Sequence, residues 1–259
     1  MSYDSTVLAE PLAPPPPPVP DEEPQPIAHW LHTVALFGVF ILTTTFTERR
    51  AARRELGNTA HIPSYLASIA MEWVLLGLVI AGIHRRRAFL VRAFRNRART
   101  FIESVGLGAA VYVAGFVAIA LVGSMLYFTP LFHKRNEAAI AAIAPHTPLE
   151  FLLWFGVSLS AGICEELVFR GYLLQQLNAW MRRPVLSIFL GALLFGSVHL
   201  YEGLGAILPL AALALVYGFV VQRFKGDLRA VVVAHTLQDF IVALLLLARP
   251  YIEQHQPHP

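Results

Sequence analysis

The chain has 259 residues, 56% of them apolar and 14% charged, with a mean hydropathy of +0.57. Soluble domains carry about 45–50% apolar and about 25% charged residues, so the composition leans toward lipid and excludes a collagen-like or largely disordered chain. The lone cysteine, Cys164, excludes a disulfide scaffold. A net charge of +3, from 20 basic and 17 acidic residues, is too even to indicate nucleic acid.

The N-terminal segment stands apart. Residues 1–26 hold nine prolines, including the run Pro14 to Pro18, and the acids Asp21, Glu22 and Glu23. Such a stretch cannot bury enough surface to offset its ordering entropy, so residues 1–27 are expected to form a disordered, Pro-rich acidic tail. It lacks the basic start and apolar centre of a signal peptide.

Beyond it, a bilayer core of about 30 Å requires about 20 mainly apolar residues per helix. Stretches near 28–47, 65–83, 104–128, 149–177, 185–201, 204–222 and 230–248 meet or approach that requirement. The expected fold is all-α, a polytopic transmembrane helical bundle of about seven spans, or eight if one stretch is miscounted. Its expected parts are N-terminal membrane helices over 28–128, a helical core over 129–249 and a tail over 250–259. Pro148 and Pro184 sit where helices begin.

Loop arginines set the expected orientation. The densest cluster is Arg85, Arg86, Arg87, Arg92, Arg95, Arg97 and Arg99, and placing it in the cytoplasm brings Arg182, Arg183, Arg223, Lys225 and Arg229 with it. The opposite side receives Arg49, Arg50, Arg53, Arg54, Lys134, Arg135 and Arg249. An integral protein of a bacterial cytoplasmic membrane, with its N-terminus in the cytoplasm, is the expectation.

Ionisable groups at membrane depth are costly unless paired or facing a cavity. Four places carry them: Glu72; Glu165 and Glu166 with Arg170; His199; and His235 with Asp239. Glu166 and Arg170 are i,i+4 on one helix face, acid before base, the better order for an ion pair. Glu165 is turned by about 100° from Glu166, so Arg170 cannot serve both. Glu166 is then the paired acid and Glu165 the free one. The same pair could instead anchor a helix end at the membrane surface, and His199 alone could be interfacial. His235 and Asp239 form a second i,i+4 pair, suited to a proton relay, a metal ligand with its partner, or a catalytic orienting pair.

Together these residues supply a carboxylate base and two imidazoles. That set suits metal-assisted hydrolysis, with Glu165, His199 and His235 binding a divalent cation such as zinc. It suits equally a metal-free route in which Glu165 deprotonates water.

Glu-Glu-x-x-x-Arg at 165–170, Phe-x-x-x-His at 195–199 and His-x-x-x-Asp at 235–239 resemble, in order and spacing, the CPBP intramembrane proteases. This family, also called Abi, joins CAAX proteases with bacteriocin-processing enzymes. The resemblance spans roughly 148–245. It implies a membrane-embedded peptidase, glutamic or metallo in type, opening toward the cytoplasm. It also implies that Glu165 activates water, that His199 and His235 complete the site, and that Glu166 and Arg170 support it. Asp239 departs from the asparagine of eukaryotic-type members; an ionised carboxylate cannot donate a hydrogen bond, so it would be protonated, orient His235 or bind metal. The implied partner is a peptide or membrane-tethered protein within the bilayer, and a prenylated substrate does not follow from the match.

Two other classes remain: a non-catalytic scaffold or immunity factor binding a partner peptide, and a proton- or cation-coupled transporter. The second predicts inverted repeats, which the sequence lacks. Glu72 reads as a cavity residue or as an acid reaching an interface. His29, His32, His133, His146, Trp30, Tyr65 and Tyr201 read as interfacial. Gly106, Gly108, Gly115 and Gly123 read as helix-packing positions. The basic stretch 84–99, interleaved with Phe89, Leu90, Val91 and Phe94, reads as an amphipathic segment on anionic headgroups.

Overall fold

The computed structural model describes residues 24–54, 61–94, 99–131 and 144–254. The polyproline run, Arg95, Arg97, His133, Lys134 and Arg135 lie outside them. The described chain is helical throughout: α1 (Trp30–Arg54), α2 (His61–Gly82), α3 (Arg86–Phe94), α4 (Phe101–Leu126), α5 (Pro148–Glu166), a π-helical turn (Leu167–Leu173), α6 (Leu174–Met181), α7 (Pro184–Val198), a 3-10 turn (Leu200–Glu202), α8 (Leu204–Arg223) and α9 (Arg229–Gln254). The expected all-α bundle is what forms.

Each of the seven apolar stretches falls on helix. By length and composition, four helices can cross a membrane: His61–Gly82, Phe101–Leu126, the continuous Pro148–Met181, and Leu204–Arg223. Trp30–Thr43 and Pro184–Val198 are apolar but shorter. Exposed side chains such as Phe101, Ile102, Leu121 and Met125 on α4 give the bundle an apolar exterior, which water would not tolerate over so large a patch.

Helix starts follow local chemistry. Thr100 and Thr147 each form a capping box, with Glu103 and Glu150 respectively, which satisfies backbone N–H groups that have no partner inside the helix. Pro148 and Pro184 lie within the first helical turns of α5 and α7 rather than before them, where a missing N–H costs nothing.

Small residues let helices approach closely around α9. A Cβ on Gly162 of α5 would collide with the Thr236 hydroxyl and meet the Val232 carbonyl at 3.0 Å. On Gly108 of α4 it would meet Val233 at 2.6 Å. Gly115 packs against Leu213, whereas Gly106 and Gly123 have nothing within 4 Å, so the packing reading holds for two of the four. Tyr65 also departs from expectation: it is 4% exposed, with its ring edge-on to Trp154, because α2 packs along α5.

The tail boundary shifts. Ile27 and Ala28 donate backbone hydrogen bonds to Gln176 Oε1, and Gln176 Nε2 donates to the Ala28 carbonyl at 2.8 Å. The chain is therefore anchored to α6 before α1 begins. At the other end α9 continues to Gln254, past the expected start of the C-terminal tail.

One end of the bundle gathers basic groups. Asp227 accepts from Arg229 at 3.1 Å and faces Arg99 at 3.6 Å, tying the α3–α4 connection to the α8–α9 corner. Arg92 donates to Gln175 there, and α3 buries Phe89 and Ala93 while leaving Leu90, Val91 and Phe94 exposed. This helix covers part of the basic stretch 84–99, of which residues 95–98 lie outside the described residues.

Candidate active site

The second half of the long α5–α6 helix carries the acidic pair. Glu165 and Glu166 end the regular α-helix, and the π-helical turn from Leu167 begins at once, with Arg170 inside it. Such turns occur mostly as single insertions in longer helices and concentrate at functional sites. No sequence signal had marked it.

The two acids diverge as the helical geometry requires. Glu166 is fully buried, and its Oε1 accepts from Arg170 Nη1 at 2.9 Å. The same oxygen lies 2.8 Å from His235 Nδ1, so the buried carboxylate accepts a hydrogen bond from Nδ1–H and orients the imidazole. Orienting His235 is one of three roles that the sequence leaves open for Asp239. Asp239 instead faces the other ring nitrogen, Nε2, at 3.6 Å, and Glu165 approaches Nε2 at 3.9 Å. Glu165 keeps about a quarter of its side chain exposed, and its Oε2 has no hydrogen-bond partner among the described residues.

His199 caps the C-terminus of α7, where the chain turns into the 3-10 segment. Its Nδ1 lies 2.8 Å from the Phe195 carbonyl. A carbonyl only accepts, so Nδ1 carries the proton, and in the neutral ring Nε2 presents a lone pair. His199 and Glu165 line one cavity of about 150 Å³, together with Glu72, Cys164 and Tyr201. Tyr201 is thus a cavity residue rather than an interfacial one. Its ring lies 5.9 Å from that of His199.

Phe195 joins the three stretches. Its ring is 4.7 Å from His199 and 5.9 Å from His235, and the Arg170 guanidinium sits 4.4 Å above it. Tyr217 of α8 flanks Arg170 and His235 from another direction. Trp154 donates to the backbone carbonyl of Asp239, holding α9 against α5 at the same level. All six residues singled out from the sequence gather here: Glu165, Glu166, Arg170, His235 and Asp239 in direct contact, and His199 through Phe195 and the shared cavity. With a rise of about 1.5 Å per residue, His235 lies about 9 Å along α9 from Arg229 and the basic end.

The neighbouring segment matches the family model described as Type II CAAX prenyl endopeptidase Rce1-like, over residues 147–241. This segment is an Rce1-like domain. It begins at the Thr147 cap of α5 and closes two residues after Asp239, so every site residue above lies within it. No curated protein and no solved structure matches the chain significantly. The match covers less than half of the chain and is a likeness to a membrane-peptidase family.

Among the described residues, no three His, Cys, Asp or Glu side chains are grouped so as to hold an ion. His199, with Nδ1 tied to a carbonyl, and His235, with Nδ1 tied to the Glu166 carboxylate, both have the posture of a ligand. His235 is held by Glu166 on one side and faces two carboxylates on the other.

Proposed function

We propose that the protein is an intramembrane endopeptidase in which Glu165 activates the attacking water without a metal. The observation that carries this reading is the unequal treatment of two adjacent acids. Glu166 is fully buried and binds Arg170 and His235 through Oε1, whereas Glu165 is about a quarter exposed and lines the cavity; Oε2 of each acid has no partner among the described residues.

In this reading a water donates to Glu165 and to His199 Nε2, two acceptors on one cavity wall. Glu165 removes a proton as the oxygen attacks the peptide carbonyl, and returns it to the leaving amine. His235, fixed by Glu166, presents Nε2 between Glu165 and Asp239, where a proton would be shared by both carboxylates. Tyr201 lines the cavity beside His199, and its hydroxyl, which bonds to Glu202, is the donor assigned to the developing oxyanion in this reading. Asp239, if ionised, can only accept, so its place is beside His235. In this reading the basic end is cytoplasmic, as the concentration of arginine there favours.

The test uses full-length protein in lipid nanodiscs, its metal content measured, against a library of fluorogenic peptides. Cleavage that survives chelation and falls by about 10²–10⁴ in Glu165→Gln supports the proposal. Chelation-sensitive cleavage, or full activity in Glu165→Gln, overturns it.

A further inference from the structure

Glu72 lies midway along α2, and its side chain faces the cavity that Glu165 and His199 line. Its Oε2 is buried with no hydrogen-bond partner among the described residues, as is Oε2 of Glu165. The mechanism above uses Glu165 and leaves Glu72 without a task. A carboxyl group at membrane depth is tolerated when it pairs or faces a cavity. The Ser160 hydroxyl of α5 lies within reach of this carboxyl group, and a charged partner has to arrive from the cavity side.

Among the described residues the lining contains no lysine or arginine. Arg170 is bonded to Glu166 and packed against Phe195 and Tyr217. The cavity therefore carries two carboxyl groups against one imidazole. Around Glu72 its wall is apolar, formed by Phe40, Met71, Leu75 and Val168. A cavity of about 150 Å³ accepts a group the size of benzene, which is also the scale of one long side chain. An apolar sleeve with an acceptor in its wall matches an unbranched hydrocarbon stem ending in a strong donor.

We propose that Glu72 is a specificity-determining residue that accepts the ammonium group of a substrate lysine flanking the scissile bond. The proposal rests on the peptidase reading and adds to it the substrate class that the cavity selects. The lysine stem runs along Met71 and Leu75, its ammonium meets Glu72, and the adjoining peptide bond lies across Glu165.

The test uses full-length protein in nanodiscs and paired peptides that differ only by lysine or norleucine, scanned across positions flanking the cut. Wild type is expected to favour lysine at one position by about ten- to hundredfold in kcat/KM, the range of a charged hydrogen bond. Glu72→Gln, nearly the same in shape, is expected to bring that ratio close to one by raising KM for the lysine peptide. Binding of the same pairs to Glu165→Gln protein, followed by fluorescence anisotropy, is expected to show the same preference. A preference that survives Glu72→Gln overturns the proposal. So does an equal loss on both peptides, which would place Glu72 on the water, and so does the absence of a lysine preference. Lysine-selective binding that depends on Glu72, without cleavage by wild type, would remove the peptidase reading and leave the lysine site standing.

Discussion

Arg170→Met is expected to destabilise the protein by about 3–5 kcal/mol, because it strands a buried charge. Glu166 is fully buried and Arg170 is 4% exposed, so neither solvent nor salt screens the pair across its 2.9 Å. The guanidinium also covers the Phe195 ring at 4.4 Å, a contact worth up to about 2 kcal/mol when desolvated and partly counted in the same loss. Methionine restores most of the volume, which isolates the charge. The double variant Glu166→Gln/Arg170→Met removes both charges and is expected to lose only about 1–2 kcal/mol, chiefly a hydrogen bond to His235. Reversible unfolding in mixed micelles, titrated with SDS and followed through the four tryptophans, measures both. A single variant within about 1 kcal/mol of wild type refutes the buried pair. A double variant as unstable as the single shows that stranded charge is not the cause.

Gly162→Val places a branched side chain against Thr236 at the α5–α9 crossing; an overpacking loss of about 1–3 kcal/mol is expected, with cleavage falling further than stability, measured by unfolding and turnover together. Gln176→Ala removes three backbone hydrogen bonds to Ile27 and Ala28, and faster hydrogen exchange confined to residues near 27–28 is the expected signature. Tyr201→Phe is expected to lower kcat by about 10² with KM nearly constant if its hydroxyl serves the oxyanion; an unchanged kcat would remove that role.

Much of the site is legible in the sequence because its strongest relations are local. Glu166 and Arg170 share a helix face at i,i+4, and the same geometry turns Glu165 away, so the division between paired and free acid follows from the residues alone. The helices are legible for a similar reason: apolar stretches of this length have few alternatives in a bilayer. What escapes is tertiary. That Glu166 rather than Asp239 orients His235 depends on how closely α9 approaches α5, and hence on Gly162 meeting Thr236. The π-helical turn after Glu166 has no local signature. The Gln176 clamp joins residues 148 positions apart, and the burial of Tyr65 follows from α2 lying along Trp154. Amphipathic residues such as Tyr65 and Tyr201 look interfacial in sequence, and only packing shows which of them turn inward.

The most direct measurement is the fate of solvent oxygen in one turnover, carried out in ¹⁸O water with protein in excess over peptide. Attack by a water deprotonated at Glu165 places one ¹⁸O in the new carboxyl group of the product and leaves the mass of the protein unchanged. Label that appears on a carboxylate of the protein, with the first product unlabelled, would mean that an acyl-enzyme had formed and would contradict the water-activating role of Glu165.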